Sequence, residues 1–203
     1  MSLSPALQKY LARDLWHRSP VLFPAGAIPF SYRDNSFGNR RITPALRAGK
    51  LLVEDPEFSC RGLVLSGGVG TGKTTACICV ARHLIDEGSC ERVAYFTFGD
   101  FVSRLLNPEL RAETLDAARE ADVLLIDDLG SSFASRDGFA VALLEEAIIH
   151  REASLYSMMI TTNIGPAEFR KRFGDRIHDR LRGRWGCWVD VSGPSMRSKR
   201  PRT

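Results

Sequence analysis

The 203 residues, 44% of them hydrophobic, can close one α/β core but are too few for two comfortable domains, so one domain with extensions is expected. A net charge of +4 and a pI near 8.9 permit nucleic-acid contact without requiring it. The longest apolar runs, such as Val123–Ile126, fall far below the roughly 18–20 residues that a membrane-spanning helix needs, and the first ten residues do not lead from a basic segment into an apolar run. A cytoplasmic address with no membrane partner is the expectation. Five cysteines (Cys60, Cys77, Cys79, Cys90, Cys187) form no CxxC pair, and His17, His83, His150 and His178 are scattered, which argues against a zinc site and a disulfide framework.

Residues 4–18 place Leu7, Leu11 and Leu15 at steps of four, as a short amphipathic helix would; it either docks on its own domain or serves as a handle for a partner. Residues 19–61 read as an irregular segment rich in Pro, Gly and Arg, with a helix near Thr43–Leu51. The pattern then becomes regular. Gly62–Ser66 is a strand, a glycine loop follows, and an apolar helix runs from Lys73 to about Glu87. Arg92–Phe98 alternates as a strand, Asp100–Leu106 and Pro108–Glu120 read as helices, and Val123–Asp127 suits a buried parallel strand. Gly138–Glu152 is helical, Ser157–Thr162 is a strand, Pro166–Phe173 is a short helix with Pro at its start, and Arg184–Val191 reads as a last strand. Such alternation predicts a three-layer sandwich: a central parallel sheet with helices on both faces. A basic tail, Arg197–Arg202, closes the chain.

Gly67-Gly68-Val69-Gly70-Thr71-Gly72-Lys73-Thr74 satisfies G-x-x-x-x-G-K-[ST] between a predicted strand and helix, the context its chemistry requires. Glycines let successive backbone N–H groups converge on an anion, the helix start adds its positive end, and the Lys73 ammonium reaches the β- and γ-phosphates. With Thr75 beside them, these nine residues are the candidate ATP-binding set. Thr74 supplies a hydroxyl for Mg²⁺. Because Mg²⁺ keeps several waters and favours a carboxylate at a neighbouring strand end, Val123-Leu124-Leu125-Ile126-Asp127-Asp128 provides the second element, with Asp127 toward the metal. Asp128, one residue on, can polarise the attacking water as a general base.

With both motifs in view the chain resembles the AAA+ ATPases, and within them the DnaC-type helicase loaders and the IstB-type transposition helpers. The resemblance runs from about Ile28 to Arg197 and rests also on Ile28-Pro29-Phe30-Ser31-Tyr32 leading to Ser36-Phe37, on Leu124–Gly130 (LLIDDLG), and on Thr161-Thr162-Asn163. It implies an AAA+ P-loop domain over 31–196 with little or no C-terminal lid, a 1–30 extension for partner docking and a 197–203 tail. It makes Asn163 a sensor near the γ-phosphate. Gly174–Arg182 resembles the segment carrying the arginine finger, with Arg180 as the finger supplied to an adjacent subunit, so a homo-oligomer formed with ATP is implied. The alternative reading of Arg176, Arg180, Arg182 and Arg184 is a solvated basic helix face. Arg197 is similar to a second basic residue near the family's C-terminus, and Phe37 and Ile42 are the guesses for adenine contact.

The family implies single-stranded DNA held by backbone and basic contacts. Phe98, Phe101 and Arg104 follow the second strand, where pore-facing residues of relatives lie, although an aromatic at such a place is more often core, and the tail either grips phosphates or is a frayed solvated end. The expected function is a DNA-stimulated ATPase that loads a replicative helicase. The alternatives are an IstB-like helper of a transposase, a small-molecule kinase, and a non-hydrolysing ATP-binding module.

Overall fold

The computed structural model describes residues 28, 35–38, 40, 43–54, 61–130 and 138–196. The amphipathic segment 4–18, Ile42 and the tail 197–203 lie outside them. Among the described residues twelve elements follow one another: α1 (Pro44–Glu54), β1 (Gly62–Gly67), α2 (Lys73–Asp86), β2 (Val93–Thr97), α3 (Phe98–Leu106), α4 (Pro108–Glu120), β3 (Val123–Leu129), α5 (Gly138–Ala153), β4 (Ser157–Thr162), α6 (Pro166–Phe173), α7 (Asp175–Arg182) and β5 (Gly186–Val191). The strands order as β2-β3-β4-β1-β5, and each neighbouring pair is parallel.

The short Val/Leu/Ile runs become strands because both of their faces are needed. Side chains alternate across a strand, so each run feeds two cores. Leu63 and Leu65 pack with Leu46 of α1 and with Ala76 and Val80 of α2, whereas Val64 packs with Phe101, Leu144, Phe169 and Ile177 from α3, α5, α6 and α7. β3 divides the same way: Val123 and Leu125 face α2, and Leu124 and Ile126 face the opposite layer. This is the expected three-layer sandwich.

Local chemistry sets the boundaries. Thr43 accepts from the Leu46 N–H at 3.1 Å and Pro44 follows, which starts α1. Thr97 ends β2 and accepts from the Asp100 N–H at 3.2 Å, so Phe98 belongs to α3 rather than to the preceding strand. Phe98 and Phe101 are 0% and 1% exposed. They are core residues, the commoner role of an aromatic at such a place, and not a pore-facing pair. Arg104 spends its guanidinium on Asp100 at 3.0 Å.

Arg151, on α5, is fully buried and donates to the carbonyls of Ala118, Ala121, Asp122 and Ser157 at 2.6–3.2 Å. It ties the end of α4 to the starts of β3 and β4. Burial pulls its pKa down to about 10, with Asp122 opposing that shift.

Candidate functional site

The carboxyl ends of β1, β3 and β4 meet where ligands of open α/β sheets bind. Register sets Thr97 opposite Asp127, and Leu65 and Ser66 opposite Thr161 and Thr162. A cavity of about 730 Å³ opens there, in the range of ligand-sized pockets. Val69, Gly70, Gly72, Lys73, Thr74, Thr75, Asp127, Asp128 and Asn163 line it, so the two motifs and the candidate sensor converge. Arg40, Thr43, Leu46, Thr97, Thr161 and Met196 complete its wall. Phe37 does not line it, because its ring packs edge-on against His83 at 6.0 Å and against the α1/α2 core.

Three glycines shape the loop with positive φ: Gly67 at 141°, Gly70 at 82° and Gly72 at 91°. Gly72 caps α2 without any side-chain hydrogen bond, so the first N–H groups of that helix carry no such partner. Lys73, 7% exposed, donates from Nζ to the Gly67 and Gly68 carbonyls at 2.8 and 2.7 Å and to Asn163 Oδ1 at 2.9 Å. Thr71 Oγ1 donates to the Gly68 carbonyl at 2.9 Å and stiffens the turn.

Asp127 sits among hydroxyls. Thr74 Oγ1 donates to its Oδ1 at 2.7 Å, Thr161 Oγ1 donates to the same oxygen, and Tyr95 Oη donates to Oδ2 at 2.8 Å. Beyond it β3 breaks register with β4 between Ile126 and Leu129, and Asp128 takes a left-handed φ of 59°. Such a backbone costs a non-glycine residue roughly 1–3 kcal/mol. The break turns Asp128 out of the sheet: its N–H donates to Thr161 Oγ1 at 2.9 Å, and its Oδ1 accepts from Asn163 Nδ2 at 2.6 Å. A continuous chain therefore links the Lys73 ammonium, the Asn163 amide and the Asp128 carboxylate.

Arg180 stands apart from this cluster. It is on α7, an element not foreseen as a separate helix, and its guanidinium pairs with Glu152 of α5. Arg176 similarly meets Glu145 at 3.3 Å.

Two features escaped the sequence reading. Tyr95 reads from the sequence only as a strand residue. The segment after β5 also returns over the glycine loop, where the Met196 N–H donates to the Gly70 carbonyl at 2.7 Å and a Cβ on Gly70 would lie 2.1 Å from Ser195 Oγ. Gly67 is likewise closed in, since a Cβ there would lie 2.0 Å from the Val191 carbonyl oxygen. These glycines admit the neighbouring backbone as well as shaping the loop. The signal available was Gly itself, whose missing side chain permits close approach without saying what approaches.

A five-stranded parallel sheet in this order, with a glycine loop between β1 and α2 and an acidic pair ending β3, defines a P-loop domain of AAA+ type. The family model described as IstB-like ATP binding protein matches residues 36–203, and the chain belongs to that family. It is 26% identical over 186 residues to the uncharacterized protein YdaV of Escherichia coli (strain K12), covering 87% of this chain and 73% of YdaV. It is 25% identical over 178 residues to the replicative helicase loader DnaC of the same strain, covering 83% of this chain and 71% of DnaC. Its fold is similar to the crystal structure of DnaI, with a TM-score of 0.68 and 20% identity over 84% of this chain and 94% of that one.

Proposed function

We propose that this chain binds ATP with Mg²⁺ in the cavity at the end of β1 and hydrolyses it, and that it does so as a DNA-acting helicase loader. The linked Lys73, Asn163 and Asp128 beside the Thr74–Asp127 pair is the observation that carries the reading. A site that only tethered phosphates would need the loop and the lysine. A carboxylate swung out of the sheet and oriented by an amide answers a further need, that of aligning a water.

In this reading the N–H groups of the loop and of the α2 start hold the phosphates, and the Lys73 ammonium exchanges its carbonyl partners for phosphate oxygens. A hydroxyl beside a carboxylate is a donor set suited to Mg²⁺, and among the described residues no larger His/Cys/Asp/Glu cluster competes for a metal. Thr74 through its hydroxyl and Asp127 through its carboxylate would hold the ion, which would supply positive charge against the negative charge that develops on the phosphates. Asp128 accepts a proton from the attacking water, and Asn163 keeps Asp128 aimed while sensing the γ-phosphate. Arg180 lies outside its own chain's cavity, which suits a finger offered to a neighbouring copy across a head-to-tail contact.

The helicase-loading role follows the likeness to the replicative helicase loader DnaC, and the role of helper to a transposase follows the resemblance to the IstB-type transposition helpers. Single-stranded DNA is the expected substrate in the first and duplex DNA in the second. The 1–30 extension is the proposed docking segment, and 31–196 the ATPase unit. Asp128→Asn should retain ATP binding and lose turnover by about 10²–10⁴-fold, while the unaltered protein releases phosphate without any acceptor metabolite. A requirement for such an acceptor would turn the assignment to a kinase. Capture of a replicative helicase on tagged protein with ATP and Mg²⁺ supports the loader; capture of a transposase replaces it with the helper.

A further inference from the structure

Tyr95 lies in β2, 6% exposed, within the core between the sheet and α1/α2 that also holds Cys77, Val93 and Leu125. Phenylalanine would satisfy every apolar demand of that place. A buried hydroxyl is costly unless it is paired, and this one is paired at 2.8 Å with Asp127 Oδ2. The register explains the reach: Thr97 pairs with Asp127, and Tyr95, two residues earlier on the same face of β2, extends its ring along the sheet to the carboxylate. Among the described residues Tyr95 is the only donor to Oδ2, whereas Oδ1 receives both Thr74 and Thr161.

We propose that Tyr95 is a positioning residue for the Mg²⁺–ATP complex, fixing the Asp127 carboxylate so that Oδ1 is presented on the Thr74 side. This rests on the reading of Thr74 and Asp127 as the metal pair. When the Thr74 hydroxyl turns toward the ion, Asp127 loses one of its three hydroxyl donors. Thr161 cannot fix the carboxylate alone, because a single bond to Oδ1 leaves the group free to rotate, and Thr161 also accepts from the Asp128 N–H. Tyr95 holds the second oxygen and so removes that rotation. Hydrogen-bond partners behind a metal-directed carboxylate typically govern about 10–100-fold in metal affinity or activity.

The test is Tyr95→Phe, which keeps the ring and removes the hydroxyl. Binding of fluorescent mant-ATP is measured in EDTA and across a Mg²⁺ titration, with a thermal melt as the check on folding. The account expects unchanged affinity in EDTA and a rise of about 10-fold in the Mg²⁺ concentration that half-saturates the tightening. In an Asp127→Asn background the same substitution should add no further shift. A Mg²⁺ curve identical to that of the unaltered protein overturns the proposal, as does an equal added shift in the Asp127→Asn background, which would mean that Tyr95 acts through packing. Lys73→Ala separates this from the parent reading: if that variant binds mant-ATP normally, the nucleotide site itself is wrongly assigned, whatever Tyr95 does.

Discussion

At the scale of single residues, the α2 face of the sheet combines a charged ligand cluster with a set of inert thiols. Burial pushes the Cys79 thiol from 9.0 up to about 11 and the Cys90 thiol up to about 12, the latter helped by Asp122 and Glu91. Cys77, directly below the loop, is raised by burial first and by Asp127 second. An unfolded cysteine ionises near 9 while these native thiols stay protonated, so the folded state binds more protons between about 9 and 12 and loses stability as pH rises through that window. At pH 8 they should resist a thiol reagent in the native protein. Among the four described cysteines only Cys187 is half-buried, and mass spectrometry of the labelled peptides should find it modified first. Faster labelling of Cys77 would show that the layer beneath the loop opens readily.

Residues with a fixed local pattern were readable before the structure was known. The glycine loop and the run ending in Asp127-Asp128 each carry strand context within a few positions, and the fold brings them together as expected. Tyr95 gave no such signal. Its role depends on the β2–β3 register and on a partner 32 positions along the chain, which no local pattern encodes. Arg151 was hidden for a related reason: within α5 it reads as one more polar helix residue, and only tertiary packing buries it.

At the scale of elements, strands were easier to place than helix boundaries. Continuous apolar runs identify doubly buried strands, but the change from β2 to α3 turns on a single cap at Thr97, and α7 follows α6 with only Gly174 between. Gly174 adopts a φ of 84°, which breaks one helix and starts another. Two arginines of α7, Arg180 and Arg176, meet Glu152 and Glu145 of α5, a pairing across elements that helix spacing alone does not announce. Arg151 shows what joins the elements. Arg151→Met keeps much of the apolar stem and withdraws the donors from four carbonyls, which should cost about 3–5 kcal/mol in urea unfolding. A loss below about 1 kcal/mol would mean that those carbonyls find other partners.

For the whole molecule, composition set limits without choosing a function. The charge of +4 allowed DNA contact, and among the described residues no helix is long and apolar enough to cross a membrane. The sheet order brings the loop together with Asp127 and Asn163 around the candidate ATP site, and Arg180, paired with Glu152, does not line it. If the site is shared, neither half suffices. Lys73→Ala and Arg180→Ala subunits should each fail to hydrolyse ATP, the first for want of phosphate binding and the second for want of the finger. Mixed in equal amounts, random head-to-tail pairing restores one intact interface in about four, and activity should recover to about a quarter of that of the unaltered protein.

Phosphate release by Lys73→Ala, by Arg180→Ala and by their mixture is therefore the most direct measurement. The account predicts two inactive proteins and an active mixture. Hydrolysis at the unaltered rate by Lys73→Ala would contradict it at the site itself, and an inactive mixture would contradict the sharing of that site between subunits.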